Sequence, residues 1–514
     1  MQHNLNDYPG VQFGTSGLRG LVSNLTDVAC YAHAKAFLQY ILLGKQLPAN
    51  RPFHVAVSGD LRRSTERIIR AVCRAAIDCG FTPLDCGRIP TPALALFAMS
   101  RQIPGIMVTG SHIPDDRNGV KFFLPGGEIT KRDEQLILTQ QVEIPDAMFH
   151  EDGQFYKMMR PHESDMAGDN GDAARCYSDR YIGAFPNGLL AGMRLGLYEH
   201  SAVGRELLCE LYESLGIEVL RIERATEFVP IDTESLPPNL LQKAAHWSAG
   251  YQLDAILSTD GDSDRPLVFD ENGDWLCGDV IAILTAWFLR AQTVVTSITT
   301  GGILERTGFF PQIVRTKVGS PYVIEAMQQV IAAGNDRVVG FEPNGGFMLG
   351  TPFSMQWPVT DLRLSVPNNT TLLPLPTRDP VIVHLAVLAL AKRENVTLSQ
   401  LAAMLPPCHK LSDRIPDYPN DVSSRMLQQL AERHGDTWPV IEVMFGELLG
   451  TSAPGPPVTV DQLDGLRMTF ANGEIIHLRA SGNAPEFRCY VESTSARRPR
   501  ELLDFSLAQM QAFR

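Results

Sequence analysis

Gly105-Ile106-Met107-Val108-Thr109-Gly110-Ser111-His112-Ile113-Pro114, continuing as Asp115-Asp116-Arg117-Asn118-Gly119-Val120-Lys121-Phe122, is the stretch on which the reading of this chain turns. Its first four residues are apolar and read as a buried strand. A turn of small residues then presents a serine beside a histidine, and a lysine follows on the next extended segment. In α/β folds the loops beyond strand ends display the reactive groups. Ser111 is therefore the expected carrier of the chemistry, although alone it could equally be an idle turn residue.

Moving outward, Phe53-His-Val-Ala-Val57 reads as a strand and Ser58–Arg63 as a turn. Ser64 is the expected N-cap of a helix, because Ile68, Ile69, Val72, Ala75 and Ala76 recur at helical spacing up to Gly80. Thr82–Cys86 is extended again, which completes a βαβ unit. A second unit has strands at Arg194–Tyr198, Ile217–Arg221 and Asp254–Leu257, with a helix near Gly204–Ser214. A third has strands at Val294–Ile298, Gln312–Thr316 and Arg337–Gly340, with helices from Ile303 and over Ser320–Ala333. The C-terminal part differs: Leu466–Phe470 and Ile475–Leu478 flank the favoured hairpin dipeptide Asn472-Gly473, a strand Phe487–Glu492 follows, and a helix closes the chain from about Pro499.

The fold class expected is therefore α/β: three similar α/β domains and a C-terminal α+β domain. The boundaries expected are residues 1–155, 175–275, 276–405 and 408–514. The polar, glycine-rich run over about 150–174 reads as a linker or insertion.

With 514 residues the chain is too long for one core. Its net charge of −13 argues against general nucleic-acid binding, which needs a basic face. Nine dispersed cysteines without a CxxC pair read as reduced thiols. No signal peptide and no apolar run of the roughly 18 residues that span a bilayer is evident. A cytoplasmic protein without membrane partners is expected.

Four further stretches carry chemistry. Asp260, Asp262 and Asp264 alternate through a turn after an apolar strand, and oxygen ligands at that spacing suit a hard cation such as Mg2+. An EF-hand would need glycine where Arg265 stands, and helices instead of a strand. Phe13–Gly20 sets one cation, Arg19, in a glycine-rich loop that reads as mobile and able to approach an anion. Arg479, Ser481, Gly482 and Asn483 form an anion cradle to which Arg488 adds charge. Glu342 and Asn344 can bond sugar hydroxyls. Ser111 lacks the nucleophile elbow of hydrolases, since Ile113 stands where its last glycine would be. Neighbours on an extended turn point apart, so His112 is a poor base for Ser111. A serine near a metal site is better suited to carrying a phosphoryl group.

Taken together and in this order, these stretches resemble the α-D-phosphohexomutase superfamily over nearly the whole chain. Phe13–Gly20 looks like its N-terminal loop, Thr109–Pro114 its phosphoserine loop and Asp260–Arg265 its metal loop. Phe341–Gly346 looks like its sugar loop, and Arg479–Pro485 its phosphate loop. The resemblance implies four domains, the first three with mixed sheets, around a central active-site cleft. It implies a reversible shift of phosphate between the 1- and 6-positions of a hexose, with Ser111 as the phosphate carrier. One Mg2+ would sit between Ser111 and the three aspartates, and a hexose 1,6-bisphosphate would serve as intermediate and activator. Lys121 takes the place of the general acid/base, while Arg19 and Arg265 would steady phosphate oxygens.

The sugar loop departs from the usual Gly-Glu-x-Ser-Gly-His, with Asn344 for serine and Gly346 for histidine. Mannose phosphate is the first expectation, with glucose or glucosamine phosphate behind it, on a monomer or dimer. A non-catalytic sugar-phosphate binder on the same scaffold, or a Mg2+-dependent phosphatase, are the competing readings.

Overall fold

The computed structural model describes residues 2–14, 16–44, 53–145, 147–161, 165–169, 171–355, 371–435, 437–449, 457–481 and 485–513. Its first sheet runs in the order Ala167–Gly168, Phe81–Asp85, Phe53–Gly59, Gly105–Val108, Arg117–Leu124, Leu18–Leu21, Val11–Phe13. The strands from Ala167–Gly168 to Gly105–Val108 are parallel, and the chain returns antiparallel along Arg117–Leu124, where Met107 faces Lys121.

The same step recurs twice. In the second sheet Ala255–Thr259 is parallel to Arg194–His200 and turns back along Pro266–Phe269. In the third Val338–Phe341 is parallel to Thr293–Ser297 and turns back along Phe347–Leu349. Ser111, Asp260–Asp264 and Glu342–Gly346 occupy these three reversals. Each chemistry-bearing loop is thus the link between a buried parallel strand and its antiparallel return, at the carboxyl end of the parallel strand. The C-terminal sheet is antiparallel throughout, in the order His409–Ile415, Phe487–Ser493, Ile475–Ala480, Leu466–Thr469, Thr459–Asp461.

One apolar core runs through the first three sheets, joining Met107 and Phe123 to Leu257 and Val268 and on to Val339 and Phe341. The helix Pro380–Glu394 is its spine. Its run from Val381 to Leu390 is buried all round, as a helix apolar on every face must be. Asp379 caps it by accepting from Val381 N at 3.1 Å, and also accepts from Tyr177 and Tyr181 of the helix Asp172–Ile182. The C-terminal sheet and its helices have a core of their own. No helix among the described residues is long and apolar enough to cross a membrane.

Three sequence expectations need correction or refinement. Phe13–Gly20 is not simply a mobile loop: Val11–Phe13 and Leu18–Leu21 form a hairpin in the first sheet, anchored by buried Val11 and Leu18. Arg19 stands opposite Gly119 there. Ser64 holds the N-cap position of the helix Thr65–Asp78 as expected, but its side chain makes no capping hydrogen bond; its Oγ accepts instead from Asn118 Nδ2 at 2.9 Å. The 150–174 stretch is more than a linker, since Ala167–Gly168 extends the first sheet and the helix beginning at Asp172 packs on Thr91–Arg101. That helix also runs through position 175.

Candidate active site

Ser111 is fully buried and holds a left-handed backbone, φ 55°. For a side chain with a Cβ that conformation is strained and must be held in place by its surroundings. The holding group is an ion pair from the turn after Phe53–Gly59. Asp60 Oδ2 accepts from Thr109 Oγ1 at 2.8 Å and from Gly110 N at 3.2 Å. Arg62 pairs with Asp60 at 3.1 Å and donates to the carbonyls of Ser111, Ile113, Pro114 and Arg117 at 2.5–3.0 Å. Residue 110 must be glycine, because a Cβ there would sit 2.7 Å from Arg62 Cζ. Phe228 covers the guanidinium, 3.8 Å from its ring centroid.

The left-handed turn also overturns the expectation that Ser111 and His112 point apart. Their Oγ and Nδ1 are 3.3 Å apart, because the positive φ brings consecutive side chains to one side. Burial, followed by Arg265 and Arg19, pushes the His112 imidazole well below its ordinary value, so it is neutral.

Ser111 Oγ donates to Asp260 Oδ2 at 2.6 Å. Asp260, Asp262 and Asp264 are each fully buried, and one oxygen from each lies within 4.8 Å of the others. Asp260 Oδ1 accepts from the N–H groups of Asp264 and Arg265, both at 3.2 Å. Asp262 Oδ2 accepts from Thr91 Oγ1 and Lys121 Nζ, each at 2.6 Å, and Lys121 also reaches Asp264 Oδ2 at 2.5 Å. Asp262 Oδ1 and Asp264 Oδ1 are buried without a hydrogen-bond partner. Buried, unpaired carboxylate oxygens are costly. Three clustered, buried carboxylates, two of them with an orphaned oxygen, fit a hard divalent cation.

The charges follow the packing. Burial and the neighbouring Asp262 and Asp264 push Asp260 well above the carboxylate range. Burial would raise Asp264 too, but Arg378, Lys121 and Arg265 hold it below that range. Burial alone would lower Lys121; Asp262 and Asp264 outweigh it, so its ammonium is retained.

In the third loop Glu342 is buried and its Oε2 accepts from Arg378 Nη1 at 3.0 Å. The Asn344 side-chain Oδ1 accepts from Gly346 N at 2.8 Å and so shapes the loop. The Asn344 carbonyl accepts from Thr233 Oγ1 at 3.0 Å, which docks this loop on the second domain. Arg265 is buried, with its nearest carboxylates at 3.9 and 4.0 Å, and Arg19 is only partly exposed. Burial, with Arg265 and Arg378 nearby, brings Arg19 down to about 10. The cations therefore crowd one site, beside the aspartates.

On the C-terminal sheet, Arg488 stands opposite Arg479 on one side and Arg414 on the other, an arginine row across three strands. Arg479 Nε pairs with Asp464 at 3.0 Å, and the same Asp464 oxygen accepts from Val318 N at 3.0 Å, tying this sheet to the third domain. Arg488 pairs with Glu486 at 3.1 Å. Ser481 is buried at the end of Ile475–Ala480, and Gly482 and Asn483 lie outside the described residues.

Sequence reasoning missed Asp60, Arg62, Thr91 and Arg378. The Asp60-x-Arg62 pair directly after a strand was a usable signal. Arg378 offered none, since it stands between a polar turn and a helix start.

A buried serine that meets a carboxylate cluster under converging arginines belongs to the class of phosphoryl-transfer enzymes. Residues 10–146 match the family described as "Phosphoglucomutase/phosphomannomutase, alpha/beta/alpha domain I", and residues 277–408 match its "alpha/beta/alpha domain III". The chain is 39% identical over 508 residues to a phosphomannomutase of Sinorhizobium fredii (strain NBRC 101917 / NGR234), covering 98% of this chain and 99% of that one. A Salmonella muenchen phosphomannomutase is 38% identical over 486 residues, 95% and 92% of the two chains. A solved putative phosphomannomutase from Thermus thermophilus shares the fold at TM-score 0.69 and 20% identity, covering 98% of this chain and all of that one. The chain belongs to the phosphoglucomutase/phosphomannomutase family, within the α-D-phosphohexomutase superfamily.

Proposed function

We propose that this enzyme is a phosphomannomutase, interconverting mannose 6-phosphate and mannose 1-phosphate. It is an intramolecular phosphotransferase of the isomerase type, as its relatives are. The observation that carries the catalytic reading is the 2.6 Å contact of Ser111 Oγ with Asp260 inside the carboxylate cluster. The choice of mannose rests on the two relatives at 38–39% identity.

In the resting enzyme Ser111 carries the phosphoryl group. A free hydroxyl of the hexose phosphate attacks phosphorus, and the bond from phosphorus to Ser111 Oγ breaks as the new O–P bond forms. The hexose bisphosphate so made turns over in the cleft and returns its other phosphate to Ser111. Lys121, an ammonium at rest, is the acid/base: its Nζ gives a proton to Ser111 Oγ as that bond breaks and recovers one from the attacking hydroxyl. Arg19 and Arg265 hold the transferring oxygens, a role suited to the paucity of hydrogen bonds on Arg265. Glu342 and Asn344 line the sugar end, and Arg479, Ser481, Gly482, Asn483 and Arg488 cradle the phosphate that is not transferring. Asp260, Asp262, Asp264 and Ser111 would hold Mg2+, which when bound neutralises charge at phosphorus as a Lewis acid. Four domains surround this cleft, the first reaching Ala167–Gly168 and the later ones meeting near 275/276 and 405/408. Nine free cysteines suit a cytoplasmic protein.

The test is a panel of mannose, glucose and glucosamine 1-phosphates on the purified enzyme with Mg2+, primed with a hexose 1,6-bisphosphate. Mannose phosphate should give the highest kcat/KM, with no net release of inorganic phosphate. A preference for glucose or glucosamine phosphate overturns the sugar assignment, and stoichiometric phosphate release overturns the mutase.

A further inference from the structure

Arg378 bridges four segments of the site, and no reading of the loops required it. Its Nε and Nη2 donate to Asp264 Oδ2 at 3.0 and 2.8 Å, and Nη1 donates to Glu342 Oε2 at 3.0 Å. Nη1 and Nη2 also reach Ser320 Oγ and Ser16 Oγ, both at 3.4 Å. One guanidinium thus joins the metal loop, the sugar loop, the Thr316–Ser320 loop and the N-terminal hairpin. The side chain is buried, and Asp264 and Glu342 more than offset the burial that would otherwise lower it.

The sugar loop is shaped around this arginine. A Cβ on residue 346 would lie 2.4 Å from Arg378 Cδ and 2.7 Å from its Cγ. Gly346 therefore leaves open the space through which the guanidinium reaches Glu342. Packing alone does not call for a buried cation at this point, because an apolar side chain would fill the volume without the desolvation cost. What the planar fork adds is a fixed relation between two carboxylates. With Oε2 of Glu342 committed to Arg378, Oε1 has no hydrogen bond among the described residues.

We infer that Arg378 is a positioning residue for substrate recognition: it fixes the Glu342 carboxylate against the metal loop so that Oε1 accepts from a hexose hydroxyl in one orientation. Gly346 is its steric partner. This inference rests on the sugar-phosphate reading above. Because Arg378 acts through Glu342, its loss weakens hexose phosphate binding more than it slows turnover.

The experiment is steady-state kinetics on the full chain with Mg2+ and bisphosphate primer, with thermal unfolding recorded for every variant. Arg378→Ala should raise KM for the hexose phosphate about tenfold or more, the scale of a charge-assisted hydrogen bond, with a smaller fall in kcat. Millimolar guanidinium should recover part of that KM, which a purely structural loss would not allow. Gly346→Ala alone should raise KM comparably by displacing Arg378, yet add nothing in the Arg378→Ala background. An unchanged KM in either single variant, or additive effects in the double variant, overturns the inference. Should Arg378→Ala not fold, Gly346→Ala and Arg378→Lys decide, since the lysine cannot span both carboxylates and should also raise KM. Failure of the mutase reading shows separately, as a wild-type enzyme that converts no hexose phosphate.

Discussion

Ser111 and Asp260 stand 149 residues apart in the chain and 2.6 Å apart in space, Oγ to Oδ2. The contact joins the reversal loop of the first sheet to that of the second, so the proposed chemistry requires the two to meet. Ser111→Ala should therefore cut mutase activity by roughly three orders of magnitude or more, as loss of a covalent carrier does. Phosphopeptide mapping should find phosphate at position 111 in the wild type and none in the variant. An active alanine variant would remove Ser111 from the mechanism.

Arg62 and Asp60 form a pair with no exposed side-chain surface, and together they hold the serine turn. Removing one partner leaves a buried charge, so Arg62→Met should cost about 3–5 kcal/mol in chemical denaturation. It should also lower kcat, because the left-handed Ser111 loses its restraint. Asp60→Asn combined with Arg62→Met should be less damaging than the sum of the two. Additive losses would show that the pair does not act as a unit.

Asp262 brings an orphaned oxygen to the carboxylate cluster. Asp262→Asn should weaken Mg2+ binding by roughly tenfold or more, measured directly by equilibrium dialysis as well as by metal activation of the mutase. Unchanged binding would exclude this aspartate as a ligand. Chelation of the wild type should abolish turnover reversibly.

Stability should fall on mild acidification because of buried imidazoles. Burial takes His33, in the helix Asp27–Leu43, down to about 4, and His384, bonded to Tyr212, down to about 3. Both are titrated near 6.5 in the unfolded chain. A depressed folded value means that the unfolded state binds the proton first. The stability these groups contribute is therefore complete above about pH 6.5 and is lost as pH falls toward 4. Denaturation midpoints measured from pH 7 to 5 should decline, and less steeply in His33→Gln. An unaltered slope in that variant would place the acid sensitivity elsewhere.

Arg479 links the phosphate cradle to Asp464 and, through it, to the third domain. Arg479→Gln should raise KM for hexose phosphates about tenfold while leaving the phosphorylation of Ser111 by bisphosphate primer less affected. Equal loss of both would mean that the residue serves folding rather than phosphate binding.

The sequence by itself determined the succession of three α/β units and an α+β domain, and most of the loops that carry chemistry. Alternation, turn residues and apolar runs are local, and a reactive loop after a buried strand is visible within a dozen residues. It also marked Ser111, Asp260, Asp262 and Asp264, because their side-chain chemistry is distinctive at short spacing, while Lys121 was named through the resemblance. Only the tertiary structure decided how these groups are held. Lys121 meets Asp262 across 141 residues, Arg378 meets Asp264 across 114, and Arg62 reaches the Ser111 carbonyl across 49. Such pairings depend on which strand ends the sheets bring together, and no local period encodes that. The left-handed turn that brings His112 toward Ser111, and the space at Gly346 that Arg378 enters, are set by packing in the same way. A glycine or an arginine read alone shows neither.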